Sequence, residues 1–465
     1  MNNLVKSYPV TASISIATVI LFLCSSLRHW LYHSHAWDLG IFDQAIYLIS
    51  IEQQPIVSLL GFHILGDHAA IIFYPLALLY KIYPDVHWLF AVQAIALTVG
   101  GFPLYHISLK SGLNRHQATT IVIAYLLYPL VLNKVLFDFH PEAIAIPGFL
   151  TAVLAARTNK VALFCAAIIL ILSCKSVLSL TVISMGLWLI FCERKKICGA
   201  IAIAAGLAWF LVSTQFIIPT FLGNAMGGTT GAIARYSYLG SSIPEIAGNI
   251  FIKPTVVLGK LLSVETLEYI FLLLIPIAWG LSPKHLLPLL SAVPMLLINI
   301  LSIIPTQRNL IHQYSIPILP FLLLAVISTV ANNQHWLKTR RSILIWAIVG
   351  FALLGKIGYF WSDYLSSLDT RQSITIAIEK IRDNGAVLTT GEIAPHLTHR
   401  QNIKLTFNGT ESIDLKEFKY ILLERRHPGW NSSVETIDKI KSRAEESGLF
   451  NLKYQQDDVY LFAKK

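Results

Sequence analysis

Long apolar stretches separated by short polar ones run through most of the chain. They lie at about 10–31, 87–108, 117–137, 141–156, 161–174, 176–192, 197–222, 266–281, 284–304, 309–331 and 342–362. A helix needs roughly 20 apolar residues to cross the hydrocarbon core. The pattern therefore predicts an α-helical polytopic membrane protein with about eleven transmembrane helices. Pro147, Pro276, Pro288, Pro294, Pro317 and Pro320 fall inside these runs and predict kinked or broken helices. The run Ala69–Tyr83 is shorter, contains Pro75 and suits a re-entrant or interfacial helix. The first run exceeds a signal-peptide core and has no convincing cleavage site, so it is taken as the first span.

Beyond residue 362 the period changes. A helix over 369–384 ending at Gly385, a strand over 386–390 and a short helix over 395–397 lead into a strand over 420–423. A charged amphipathic helix over 433–447 and a hairpin of 452–455 with 459–463 complete the pattern. The domains expected are thus a transmembrane domain over 1–362 and a small α/β domain over 363–465.

Composition sharpens the class. Of 465 residues 55% are hydrophobic and only 13% charged, about half the charged share of a soluble domain. The net charge of +10 falls within the first 362 residues, because the tail holds 15 basic and 15 acidic residues. A basic excess on membrane loops is a topology signal. No basic cluster interleaved with aromatics points to nucleic acid. With a cytoplasmic N-terminus, Lys110, Arg115, Arg157, Lys160, Arg194, Lys195, Lys196, Lys284, Lys338, Arg340 and Arg341 all come out inside. The long loop 32–86 and the C-terminal domain then lie outside. The five cysteines sit in or beside apolar runs, with no disulfide or metal-ligand spacing.

Candidate chemistry gathers at the outer ends of the spans. Loop 32–86 carries Trp37-Asp38-Leu39-Gly40-Ile41-Phe42-Asp43-Gln44, His63 and Gly66-Asp67-His68. Asp38 is the favoured functional acid, because carboxylates beside a bilayer are costly unless used. Asp43 reads as the cap of an interfacial helix. Asp138, His140 and Glu142 lie within five residues, and that donor set suits either a divalent cation, Mg²⁺ or Mn²⁺, or the hydroxyls of a polar substrate. Pro141-Glu142 also reads as a plain helix start. Arg308, His312 and Arg235 lie at the same outer surface and suit a phosphate. Each arginine taken alone reads first as snorkelling to headgroups. Lys175 ends a short span.

Trp37–Gln44, Gly66–His68 with Tyr74-Pro75, Tyr128-Pro129, Asp138–Glu142, His312–Pro320 and Pro395–Arg400 together resemble a family of multi-pass membrane proteins known only as a domain of unknown function. The resemblance spans nearly the whole chain. One departure is Ser176, where the family has an acid after the lysine matched by Lys175. That family is in turn similar to the GT-C glycosyltransferases, of the protein O-mannosyltransferase and aminoarabinose transferase type. The resemblance implies a polyprenyl-phosphate sugar donor and matches Asp38 to an essential acid early in the first external loop.

The function expected is transfer of a sugar from a polyprenyl-phosphate carrier to an acceptor outside the membrane. In that reading Asp38 is the general base or the acid that orients the acceptor. Asp138, His140, Glu142, Asp67 and His68 bind substrate or metal, and Arg308, His312 and Arg235 neutralise phosphate. A transporter or flippase is the alternative, but it needs ionisable groups near mid-bilayer. A non-catalytic membrane scaffold is the third.

Overall fold

In the computed structural model, which describes residues 8–223, 231–356 and 364–465, most of the apolar runs become helices. By length and composition four of them can cross a membrane: Tyr8–Trp30, His87–Lys110, Lys196–Leu222 and Gln313–Ala331. Two bent pairs raise the number to six, Arg115–Leu126 with Pro129–Val135 at 40° and Pro254–Leu261 with Val264–Gly280 at 49°. Pro129 explains the first bend, since it opens the second half and lacks the donor to continue the ladder, whereas the second bend falls where Ser263 caps a new helix start.

The expected eleven spans are therefore not met by length alone among the described residues. Val161–Cys174 and Leu178–Phe191 are 14 residues each, only about 21 Å at 1.5 Å per residue. Glu142–Arg157 has 16 residues and Pro147 within it. The last expected run, 342–362, gives a helix Arg340–Leu354, and its end lies outside the described residues.

Contacts divide the chain into two units. One comprises 1–22, 65–72 and 91–356, and the other 23–64, 73–90 and 357–465. The first is helical. Its short helices Leu178–Phe191 and Lys196–Val212 pack through glycines: a Cβ on Gly186 would stand 2.7 Å from the carbonyl of Gly199, and one on Gly199 would stand 2.6 Å from that of Gly186. Small residues let apolar helices approach this closely where lipid gives no hydrophobic drive. Gly66 does the same for the segment 65–72, lying against the backbone of Phe221 and Leu222.

The second unit joins much of the expected first loop to the C-terminal domain. A small hairpin of β1 (Ile56–Val57) and β2 (Phe62–His63) precedes a five-stranded sheet of order β4-β3-β5-β7-β6. Its strands are β3 (Val387–Thr389), β4 (Ile403–Leu405), β5 (Tyr420–Glu424), β6 (Phe450–Gln456) and β7 (Val459–Lys464). β3 runs parallel to β4 and β5, and the final hairpin is antiparallel. The hairpin turns through Asp457 and Asp458, both with positive φ, as a two-residue turn requires.

Alternation along each strand makes two cores. Val387, Tyr420, Leu422, Val459 and Leu461 face one side with Ile374 and Ala377 of helix Leu368–Glu379. Leu388, Ile421, Leu423, Tyr460 and Phe462 face the other with Ile437 and Ile440 of helix Val434–Glu446. The first core also contains Tyr32 and Ala36, so the loop after the first helix helps close the sheet. Strand β4 escapes the sequence pattern because three residues, Ile403-Lys404-Leu405, are too few to show a period.

Candidate functional site

In the second unit Asp38 lies on a π-helical turn, Ala36–Gly40, that runs straight into helix Ile41–Ser50. Ala36, Leu39 and Gly40 are buried and Asp38 is half-buried. π turns are rare and recur at functional positions. Beside it, Arg28 at the end of the first helix is 3% exposed and donates to Nδ1 of His35 at 2.8 Å. Polar atoms of His35 and Asp38 lie within 4.8 Å of each other. Sequence reasoning missed both Arg28 and His35. Their only signal was an arginine in the last turn of an apolar helix, a place the helix dipole alone explains.

Asp43 corrects its expected role. No side chain caps helix Ile41–Ser50. The Asp43 carboxylate, 1% exposed, accepts instead from the hydroxyls of Tyr80 and Thr398 and from Nε2 of His399 at 3.2 Å. The His399 ring stacks on Tyr47, with centroids 4.6 Å apart. Burial alone would raise the Asp43 pKa, but the His399 charge and three donors outweigh it and hold the carboxyl below its ordinary value. Burial disfavours the His399 charge, and Asp43 outweighs that in turn and raises the imidazole.

In the first unit, Glu142 opens helix Glu142–Arg157 and meets Lys175, Nζ to Oε1 at 2.7 Å, with the two side chains 5% and 10% exposed. Lys175 sits in extended backbone at the break between two short helices. The segment 65–72 straps this break: Ser176 N donates to His68 O and Ile72 N to Ser173 O, both at 3.0 Å. His68 pairs with Asp67 at 3.2 Å, and Ala69 follows at φ +50°, a backbone state costly for a residue with a Cβ. The second oxygen of Glu142 is buried with no hydrogen-bond partner among the described residues.

His140 receives Lys134 Nζ on Nδ1 at 2.7 Å, and Gln93 holds its backbone N–H and the Asp138 carbonyl. Lys134 thus stands beside His140 as Lys175 does beside Glu142. Among the expected phosphate ligands, Arg308 spends Nη1 on the carbonyls of Ile300 and Ser302. His312 bonds Asn309 and meets the Phe137 ring edge-on at 4.5 Å. Arg235 lies over the Tyr314 ring at 5.6 Å. Lys134, fully buried and unremarked in the sequence, joins Lys175 as a second interior cation.

A family profile described as a predicted membrane protein, DUF2079, matches residues 28–461. The chain belongs to the DUF2079 family. No curated protein sequence matches this DUF2079 chain. Among solved structures it is similar to ArnT from Cupriavidus metallidurans bound to undecaprenyl phosphate, with TM-score 0.52, 10% identity and 98% of each chain covered. The apo form of the same enzyme aligns with TM-score 0.48, 11% identity and coverage of 96% of this chain and 97% of that one. ArnT is a GT-C glycosyltransferase. The likeness extends over both chains and establishes a GT-C-like fold with a small sheet region near the C-terminus.

Proposed function

We propose that this DUF2079 protein is an integral membrane glycosyltransferase that takes its sugar from a polyprenyl-phosphate carrier on the extracytoplasmic side. The observation that carries the reading is the full-length likeness to a fold seen holding undecaprenyl phosphate. In the first unit, the buried ammonium groups of Lys134 and Lys175 are the charges a lipid-linked phosphate needs where water is scarce. In the second unit, Asp38 is the group that takes the proton. The acceptor's nucleophile loses its proton to Asp38 as its bond to the sugar C1 forms, and the C1–oxygen bond breaks with its electron pair leaving on the phosphate.

The test separates the two roles. Asp38→Asn keeps the size but cannot accept a proton, so transfer from a polyprenyl-phosphate sugar should fall at least about a hundredfold. Binding of undecaprenyl phosphate to the same purified variant should be unchanged. Near-normal transfer by Asp38→Asn would end the reading of Asp38. Absence of undecaprenyl phosphate binding by the wild type would end the donor assignment.

A further inference from the structure

Two acids five residues apart, Asp38 and Asp43, look alike in the sequence and are unlike in the structure. Asp43 is filled: Tyr80, Thr398 and His399 all point hydrogens at a carboxylate that is 1% exposed. Three donors fill most of its acceptor sites and favour its ionised form, which makes it a poor base. Asp38 is half-buried and stands on the π turn. That turn has no side-chain cap at His35, and a π turn persists only where its surroundings over-determine it.

Those surroundings are the C-terminal domain. Ala36 is 3% exposed in one apolar core with Ile393, Ala394 and Leu397. A Cβ on Gly40 would meet the Thr398 methyl at 3.6 Å. Trp37 stacks on Phe407 with centroids 5.7 Å apart and planes 12° off parallel. Immediately after the turn, Asp43 grips Thr398 and His399, and the Gln44 side chain donates to the Arg400 carbonyl at 2.9 Å. Before it, Tyr32 bonds Thr375 at 2.9 Å. The turn is held at both ends and underneath by residues 375–407.

We propose that the C-terminal domain is the positioning element for Asp38, acting through Thr398 and His399 on Asp43. These are positioning residues: they act on Asp38 through helix Ile41–Ser50, into which its turn runs. The functional consequence rests on the reading of Asp38 given above, whereas the mechanical claim stands apart from it. Asp43 faces Tyr80 and His399, and His399 in turn feels Asp85 and Arg400 while stacking on Tyr47. The grip is therefore strongest where Asp43 is ionised and His399 protonated. It weakens as pH falls through the lowered pKa of Asp43, and again as pH rises through the raised pKa of His399.

The test is hydrogen–deuterium exchange of the full-length protein in detergent. Thr398→Val and His399→Phe keep shape or ring but lose a donor, while His399→Gln loses the ring and keeps a donor. A hydrogen bond to a charged group is among the stronger ones, so residues 36–50 should exchange roughly tenfold or more faster in the first two variants. Residues 142–157 should be unchanged, and His399→Gln should return towards wild type. Mere packing predicts the opposite order, with His399→Gln looser than His399→Phe. In a transfer assay His399→Phe should lower kcat about tenfold with KM unchanged, as expected if only orientation is lost. Unchanged exchange over 36–50 in both donor-loss variants, or the packing order, would overturn the proposal. Faster exchange together with full transfer by Asp38→Asn would remove the catalytic reading while leaving the positioning role in place.

Discussion

At the scale of single residues the most exposed wager is the buried pair Glu142–Lys175. Removing one partner from such a pair leaves an uncompensated charge and costs about 3–5 kcal/mol, while replacing both by apolar groups is often neutral. Lys175→Met should therefore depress the thermal midpoint of the detergent-purified protein, and Glu142→Leu/Lys175→Met should recover it. Undecaprenyl phosphate binding should be weakened in both, which separates folding from ligand recognition. Glu424 offers a second prediction. Burial, with Glu392 and Asp369 nearby, pushes its carboxyl up to about 8 against the pull of the Thr370 hydroxyl. The fold accommodates the neutral form, so stability of this region is greatest below the ordinary carboxyl value and falls as pH rises towards 8. Glu424→Gln cannot ionise, so protection of residues 420–424, corrected for the intrinsic pH dependence of amide exchange, should stay flat between pH 5 and 8 where that of wild type falls. Asp38 could be named as a candidate because an acid flanked by apolar and aromatic residues in a long loop shows in the sequence, while the residues that hold its turn, Ile393 to Phe407, do not. Asp43 was misread because its partners Thr398 and His399 are 355 and 356 residues away, a distance over which periodicity carries nothing.

Among elements, length and apolarity were enough to find the helices but not to count spans. The breaks come from features with no hydrophobic signature, such as Tyr128-Pro129 and the extended backbone at Lys175. The tail's strands followed their alternation, except β4, whose three residues show none. Glycine placement gives a prediction at this scale. Gly199→Val would drive a side chain into the carbonyl of Gly186, and Gly66→Ala into the backbone of Leu222, so both should lower the yield of monodisperse protein. Gly259, within helix Pro254–Leu261, has nothing within 4 Å of its would-be Cβ. Gly259→Ala should be neutral or slightly stabilising, as the helix propensities rank them.

For the whole molecule, the distribution of basic residues predicts that the C-terminus lies outside the membrane. A reporter fused after Lys465 that is active only in the cytoplasm should stay silent, and activity there would invert the assignment of every loop. The second unit also has a history written into it. Tyr32 and Ala36 belong to a core whose other members are almost all beyond residue 370, and the Tyr32–Thr375 bond joins residues 343 apart. At roughly 5–20 residues per second of synthesis, the loop that carries Asp38 waits about 17–70 seconds before its covering strands exist. During that interval its apolar face lacks the strands that cover it in the finished protein, a standing target for proteases and for pairing with the wrong neighbour. A nascent chain stalled near residue 362 should be cleaved within 32–64 under conditions where the finished protein is resistant. The last hundred residues thus act as the quality seal of the first hundred, and a chain cut short announces itself by a loop left open.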